Sequence, residues 1–313
     1  MAYTDVQIVH QDKMLTNFSK GYQNGAMIGR QLLPELRVAK QSDKYYIFGK
    51  EAWAPTDDVR APGGEAHELP GIAVSTDTYF CTEHAQQTPV ADEEVQNADS
   101  PLAPRVDATQ YTVDKIEMTR EIAYKTLLAT SANYSHKITP SGKWDDFTNG
   151  DPIADVRLGM KTIKAHIFRP PNVLFLPDQV IDSIIDHPDF LDRIKYTQFG
   201  MTTEDVLARI FRVERVISPL SGYDTAREGQ AESLDYIWPD CAILMYVTPT
   251  PAMKSPTFGY TFCWPYDNAG GALRPVERWR EERRVSDVVR VRFRYDFKVT
   301  NWDAAYFFND VLS

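Results

Sequence analysis

VVRVRFRYDFKV, residues 288–299, is the stretch of this chain with the least ambiguous pattern. From Val289 onward the apolar residues take the odd positions: Val289, Val291, Phe293, Tyr295, Phe297 and Val299. The even positions carry Arg290, Arg292, Arg294, Asp296 and Lys298. Side chains alternate between the two faces of a strand, so a period of two predicts a long strand with one packed and one charged face. Around it, residues 274–298 hold eight arginines and one lysine against five acids, a local surplus of positive charge.

The opposite charge lies upstream. The chain carries a net charge of −10, and residues 51–107 contain twelve acids against only Arg60 and Arg105. That one segment accounts for the whole imbalance, since the other 256 residues balance at 32 of each sign. Such asymmetry argues against general nucleic-acid wrapping and predicts a segment that meets something basic. Within it, Lys44 to Lys50 (KYYIFGK) and Thr76 to Thr82 (TDTYFCT) predict two strands. The intervening residues, with Arg60-Ala-Pro-Gly-Gly-Glu65 among them, are too rich in Gly, Pro and acids to bury a core. A loop of that length is either mobile or laid against a partner.

The remaining elements follow from helical spacing. Residues 107–132 run without Gly or Pro, and Ile116, Ile122, Leu127 and Leu128 give a broken apolar stripe, predicting one long helix capped at Thr109 or Thr112. Asp151-Pro152 predicts a helix start, followed by Ile153, Val156, Met160, Ile163 and Ile167 at amphipathic spacing. Short apolar strands at Asn172 to Leu176, Val213 to Ile217 and Ala242 to Val247 alternate with helices from Asp178 and Thr202. Residues 151–265 therefore read as an α/β lobe around one sheet.

Chemistry is scarce. No phosphate-binding, dinucleotide-binding, zinc-protease or nucleophile-elbow motif occurs. Asp145 to Asp151 (DDFTNGD) superficially matches a calcium loop, but Phe147 occupies a ligand position, so it reads as a solvated turn. His187, before Pro188, reads as a helix C-cap. Cys81, Cys241 and Cys263 form no CxxC pair and read as free thiols of a reducing compartment. The longest apolar run, Cys241 to Val247, is far too short for a membrane span, and the opening residues do not read as a secretory leader. No catalytic residue, cofactor or metal is expected. Phe293, Tyr295 and Phe297 lie opposite the arginines, which counts against a stacking surface for nucleic acid. A salt-bridged strand face is the plain reading of Arg290, Arg292 and Arg294, with a subunit contact as the alternative.

In order and texture these parts resemble the major capsid protein of tailed phages, the Hong Kong 97-like fold. The stretches that carry the resemblance are FGKEAWAP (Phe48 to Pro55), RAPGGE (Arg60 to Glu65), YFCTEHA (Tyr79 to Ala85) and ADEEVQNAD (Ala91 to Asp99). DPIADV (Asp151 to Val156), HPDFLDRIKYT (His187 to Thr197) and VVRVRFRYDFKV complete the set. The resemblance implies an α+β capsid fold. Residues 1–43 would be an N-terminal arm and 44–86 an extended β-hairpin loop. Residues 87–150 would be a peripheral domain with a long spine helix plus β-sheet. Residues 151–265 would be an axial α/β domain, and 266–313 a return to the peripheral domain with the C-terminal strands.

Function and partners follow from the same resemblance: a homo-oligomer of pentamers and hexamers closing an icosahedral shell around double-stranded DNA bound without sequence specificity. The shell would be a virion capsid assembled in the host cytoplasm, with no membrane. With the hairpin beginning near residue 44, no room remains for the cleaved scaffolding region of some members. The chain would then be either the mature form or one that relies on a separate scaffold; a portal is implied, and a decoration protein is compatible. The charge complementarity predicts that Glu51, Asp57, Asp58, Arg60, Glu65 and Glu68 of one subunit's hairpin meet basic residues of the next, including Arg290, Arg292 and Arg294. Two rivals remain: an encapsulin-like compartment that packages enzymes, and a soluble α/β enzyme with an acidic lid, for which no clustered catalytic set is visible.

Overall fold

The computed structural model describes residues 27–48, 59, 62–65, 74–99, 102–194, 203–227, 229–250, 257–266 and 271–313. In chain order, a helical turn α1 (Gly29–Leu32) leads into β1 (Glu35–Arg37), β2 (Ser42–Phe48), β3 (Val74–Phe80) and β4 (Thr82–Ala91). A short helix α2 (Asp92–Asn97) precedes the long helix α3 (Pro104–Leu128), then β5 (Lys137–Ile138) and α4 (Pro152–Ile167). Next come β6 (Val173–Phe175), α5 (Asp178–Ile185), α6 (Pro188–Ile194), α7 (Thr203–Phe211), β7 (Arg215–Ile217), β8 (Gly222–Asp224) and β9 (Leu234–Tyr236). The chain ends through β10 (Ala242–Met245), β11 (Gly259–Cys263), β12 (Val276–Glu281), β13 (Ser286–Val299) and β14 (Ala305–Phe308).

β13 organises the first sheet. On one edge it pairs antiparallel with β4 along residues 286–295; on the other it pairs with β12 and then with β11, which holds β1 in parallel. The predicted alternation is met: Val289, Val291, Phe293 and Tyr295 are buried, and Arg290, Arg292 and Arg294 are only partly so. Its packed face meets Ile116 of α3 and Cys263 of β11.

A second sheet runs β5-β14-β10-β6-β7. α4 packs on it through the five predicted residues, Ile153, Val156, Met160, Ile163 and Ile167, all buried. Asp151 caps this helix by accepting from the Ala154 amide at 2.8 Å, with Pro152 in the first position, and Phe168 ends it in a left-handed conformation (φ 52°). One continuous core joins this sheet and its helices to Tyr124 and Leu128 at the end of α3. Among the described residues β2 and β3 pair only with each other, as a two-stranded antiparallel hairpin.

Three features depart from the sequence reading. The strand predicted to end at Thr82 is followed directly by β4, a ten-residue strand that the local pattern does not announce. Pro89 is tolerated because β4 is an edge strand, where a missing N–H leaves no ladder partner wanting. β11, from the segment assigned to the α/β lobe, joins the first sheet, while β14, from the tail assigned to the other domain, lies in the second between β5 and β10. Strand membership is decided by pairing partners distant in sequence, which local pattern does not encode. Finally, α3 begins at Pro104, and Thr109 and Thr112 are not caps. Their hydroxyls donate to the carbonyls of Arg105 and Ala108 one turn back, and Asp107 instead accepts from the Ala103 amide.

Candidate subunit-contact surface

The β-ladder decides what the three arginines touch. Glu277 of β12 stands directly opposite Arg290, and Glu83 of β4 directly opposite Arg294. Arg290 donates to Glu277 Oε2 from Nη2 at 2.5 Å and from Nε at 3.1 Å, and Arg292 donates to the other oxygen of the same carboxylate. Arg292 also reaches Glu83 Oε1 at 3.4 Å, and Arg294 Nε donates to Glu83 Oε2 at 2.9 Å. The face is thus a zigzag, Arg290–Glu277–Arg292–Glu83–Arg294, of cross-strand opposite-charge pairs. Hydrogen bonds from Arg290, reinforced by Arg292, hold the Glu277 carboxyl below its ordinary range.

Aromatic rings lie on this same face, contrary to the expectation from β13 alone. Arg290 lies over Trp279 at 4.8 Å, Arg292 over Tyr266 at 4.7 Å, and Arg294 over Trp264 and Tyr266 at 4.3 and 4.0 Å. These rings come from β12 and from the residues following β11, so a within-strand alternation rule cannot see them. Each guanidinium is therefore gripped by a carboxylate and a ring of its own chain, a contact that is favourable when partly desolvated.

Of the hairpin residues proposed to face a neighbour, Glu51, Asp57, Asp58, Arg60 and Glu68 lie outside the described residues, and Glu65 is exposed beside Gly63 and Gly64. Gly63 has φ +82°, the left-handed conformation that a tight tip asks of glycine. Other acids of the same segment find bases within the chain. Asp92 accepts from Arg280 Nη2 at 2.7 Å, and Asp287 takes Arg105, one of the two bases in the acidic run, at 2.8 Å. Part of the charge complementarity visible in sequence is therefore satisfied inside one subunit.

Residues singled out for chemistry have structural roles. Asp146 Oδ1 accepts from the Thr148 amide at 3.0 Å and its Oδ2 from Asn149 Nδ2 at 2.8 Å, an Asx-type turn. His187 is buried, its Nε2 3.1 Å from the Gly150 carbonyl, and its backbone N–H donates to Ile184 at the end of α5. The three thiols are free and buried; burial pushes Cys81 up to about 11 and Cys241 and Cys263 to about 12. Among the described residues no cluster of His, Cys, Asp or Glu could hold a metal ion, and no helix is long and apolar enough to cross a membrane.

No protein-family model matches the chain. It is 26% identical over 267 residues to the major capsid protein of Burkholderia phage BcepMu, covering 80% of this chain and 82% of that one. It is 24% identical over 310 residues to the major capsid protein of Pseudomonas phage JBD67, covering 96% and 97%. A phage-related protein from Bordetella bronchiseptica RB50 superposes with a TM-score of 0.70 at 24% identity, over 96% of each chain. The capsid of cyanophage P-SCSP1u follows at 0.60 and 9%, over 90% and 87% of the two chains. The SrpI encapsulin of Synechococcus elongatus PCC 7942 gives 0.57 and 12%, over 92% and 89%.

The fold defines the class: this chain has the Hong Kong 97-like capsid fold, shared by phage capsids and encapsulins. Within that class its sequence relatives are major capsid proteins of phages, and capsid subunit is the function that fold and kinship assign to it.

Proposed function

We propose that this chain builds, as pentamers and hexamers, the icosahedral shell of a tailed phage around double-stranded DNA held without sequence specificity. The observation that carries the proposal is end-to-end kinship with phage major capsid proteins, up to 96% of the chain, where the encapsulin likeness is one of fold alone. Its role is construction rather than catalysis. Shell formation repeats one set of contacts until the surface closes.

In this reading β13, its partner strands and α3 form the peripheral domain, and the β10 sheet with α4 to α7 forms the axial domain. The β2–β3 hairpin is the extended loop. Among the described residues β2 and β3 gain no third strand; their base packs on Phe262 through Tyr45 and Tyr79, and the exposed remainder supports its lying on a neighbour. The acidic tip, Glu51, Asp57, Asp58, Glu65 and Glu68 with Arg60, is its contact surface. The receiving face of Arg290, Arg292 and Arg294 keeps one positive charge beyond Glu83 and Glu277, and that surplus is what the tip meets. A separate scaffold and a portal act during assembly in the host cytoplasm.

Negative-stain microscopy of purified protein tests the reading. Closed shells, filled with DNA when taken from infected cells, are expected. Shells filled with protein would favour the encapsulin reading, and small discrete particles at all concentrations would overturn both.

A further inference from the structure

Glu121 is an oddity of the long helix: a carboxylate at mid-helix, 2% exposed, among apolar neighbours. Burying an ionised carboxylate costs several kcal/mol unless donors replace the lost water. Here the donors come from two distant parts of the chain. The amides of Ile28 and Gly29 donate to its Oε1 and Oε2 at 3.3 and 3.0 Å, and the indole Nε1 of Trp238 donates to Oε1 at 3.0 Å. Trp238 is buried in the other lobe, where its ring packs 4.6 Å from Phe175 of β6. Arg120, adjacent in sequence, lends Glu121 its charge but gives its hydrogen bonds to Glu35 at 2.8 Å and to the Tyr124 hydroxyl at 2.8 Å.

The surroundings are shaped for this meeting. Ile28, Leu32 and Leu33 are buried, so residues 28–33 are anchored by apolar contact on either side of the polar one. A Cβ at Gly29 would fall 2.0 Å from the Tyr124 ring, so only glycine lets α1 come this close to α3. The Tyr124 hydroxyl is 2.8 Å from the Thr261 hydroxyl, which donates to the Leu33 carbonyl at 2.9 Å, closing the other end of the segment.

We propose that Glu121 is a catch that couples seating of the N-terminal segment, residues 28–33, to closure of the second lobe's core against α3. The argument is one of shared donors. With residues 28–29 withdrawn, the carboxylate keeps one donor and remains buried against Trp238. With Trp238 displaced, it keeps two. Each seating lowers the cost of the other, and such coupling is reciprocal by thermodynamic necessity. Burial still holds the carboxyl above its ordinary range despite the three donors, which agrees with a site where losing any one of them matters. The inference rests on contacts within one subunit and stands whether or not the shell reading does.

Hydrogen exchange read by mass spectrometry on the full chain tests it, comparing wild type with Trp238→Phe and Glu121→Gln. Trp238→Phe keeps the aromatic bulk and removes only the indole donor. The coupling predicts at least tenfold faster exchange in peptides covering residues 28–33, with residues 286–295 of β13 unchanged. Glu121→Gln should speed exchange in both 28–33 and 236–241. If Trp238→Phe leaves 28–33 within twofold of wild type, or speeds every peptide alike, the catch is refuted. Should either variant fail to fold, wild type in a urea series below its unfolding transition gives the answer. Coupled segments 28–33 and 236–241 open with one shared urea dependence; two separate dependences overturn the proposal.

Discussion

Glu277 stands across the β12–β13 ladder from Arg290, and its carboxylate binds both Arg290 and Arg292. One acid serves two bases because side chains two apart on a strand share a face: Glu277, directly opposite Arg290, is also reached by Arg292 from the next position on that face. Glu83 repeats the arrangement between Arg292 and Arg294 from β4 on the other side. The charged face of β13 is therefore a stitched seam joining three strands, and its arginines stabilise the subunit before any neighbour arrives.

Replacing Glu277 by Gln should destabilise the unassembled subunit by about 1 kcal/mol at neutral pH, a network value already discounted for partial exposure. The folded-state pKa of Glu277 is lowered, so its contribution is complete above its ordinary value of 4.5 and is lost as pH falls through the lower folded value. Melting temperatures of wild type and Glu277→Gln should thus differ most at pH 7 and converge as pH falls through the lowered folded-state value. A gap that stays constant from pH 7 to pH 3 would show that the seam is not ionic.

Gly29→Ala tests the close approach of α1 to α3. The added methyl meets the Tyr124 ring at 2.0 Å, and both residues are buried, so backbone must move. Overpacking of this kind costs about 1–3 kcal/mol, read as a lower urea midpoint with an unchanged slope. A midpoint equal to that of wild type would mean that α1 does not rest on Tyr124.

The thiols give a test of burial that needs no mutation. Cys81, Cys241 and Cys263 are each at most 2% exposed, and burial raises all three thiols far from neutral pH. A thiol reagent at pH 8 should therefore label none of them in the native subunit within minutes and all three in denaturant. Fast labelling of one cysteine would locate a mobile region around it.

How far these features were legible before the structure depends on where the deciding information lies. Val289, Val291, Phe293 and Tyr295 announced their face because alternation is local, and Asp151-Pro152 announced a helix start because capping is local too. β4 was hidden because Thr82–Ala91 becomes a strand through the edge of β13, two hundred residues later. The rings of Trp264, Tyr266 and Trp279 beside the arginines were hidden for the same reason, since cross-strand neighbours follow from register. Glu121 looked like any solvent-facing acid of a long helix, and only its three donors from residues 28, 29 and 238 give it a role.

The seam also sharpens what can be asked of Arg290, Arg292 and Arg294 in assembly. Changing all three to Ala removes the bases but leaves Glu83 and Glu277 unpaired on one face and strips three rings of their stacking partners. The subunit should lose several degrees of melting temperature from this alone, so a drop in shell yield would not by itself prove a contact with the neighbour's acidic hairpin. The double change Glu83→Gln and Glu277→Gln separates the two roles, since it breaks the same pairs while leaving the arginines in place. If the arginines receive the hairpin, the double variant still forms shells in low salt, and the freed bases make assembly more salt-sensitive, whereas the triple variant fails even at low salt. If they serve only the subunit, shell yield by sedimentation follows melting temperature in both variants, with no difference in salt response. The first pattern makes the face a contact between subunits; the second makes it internal scaffolding and sends the acidic tip to another basic surface.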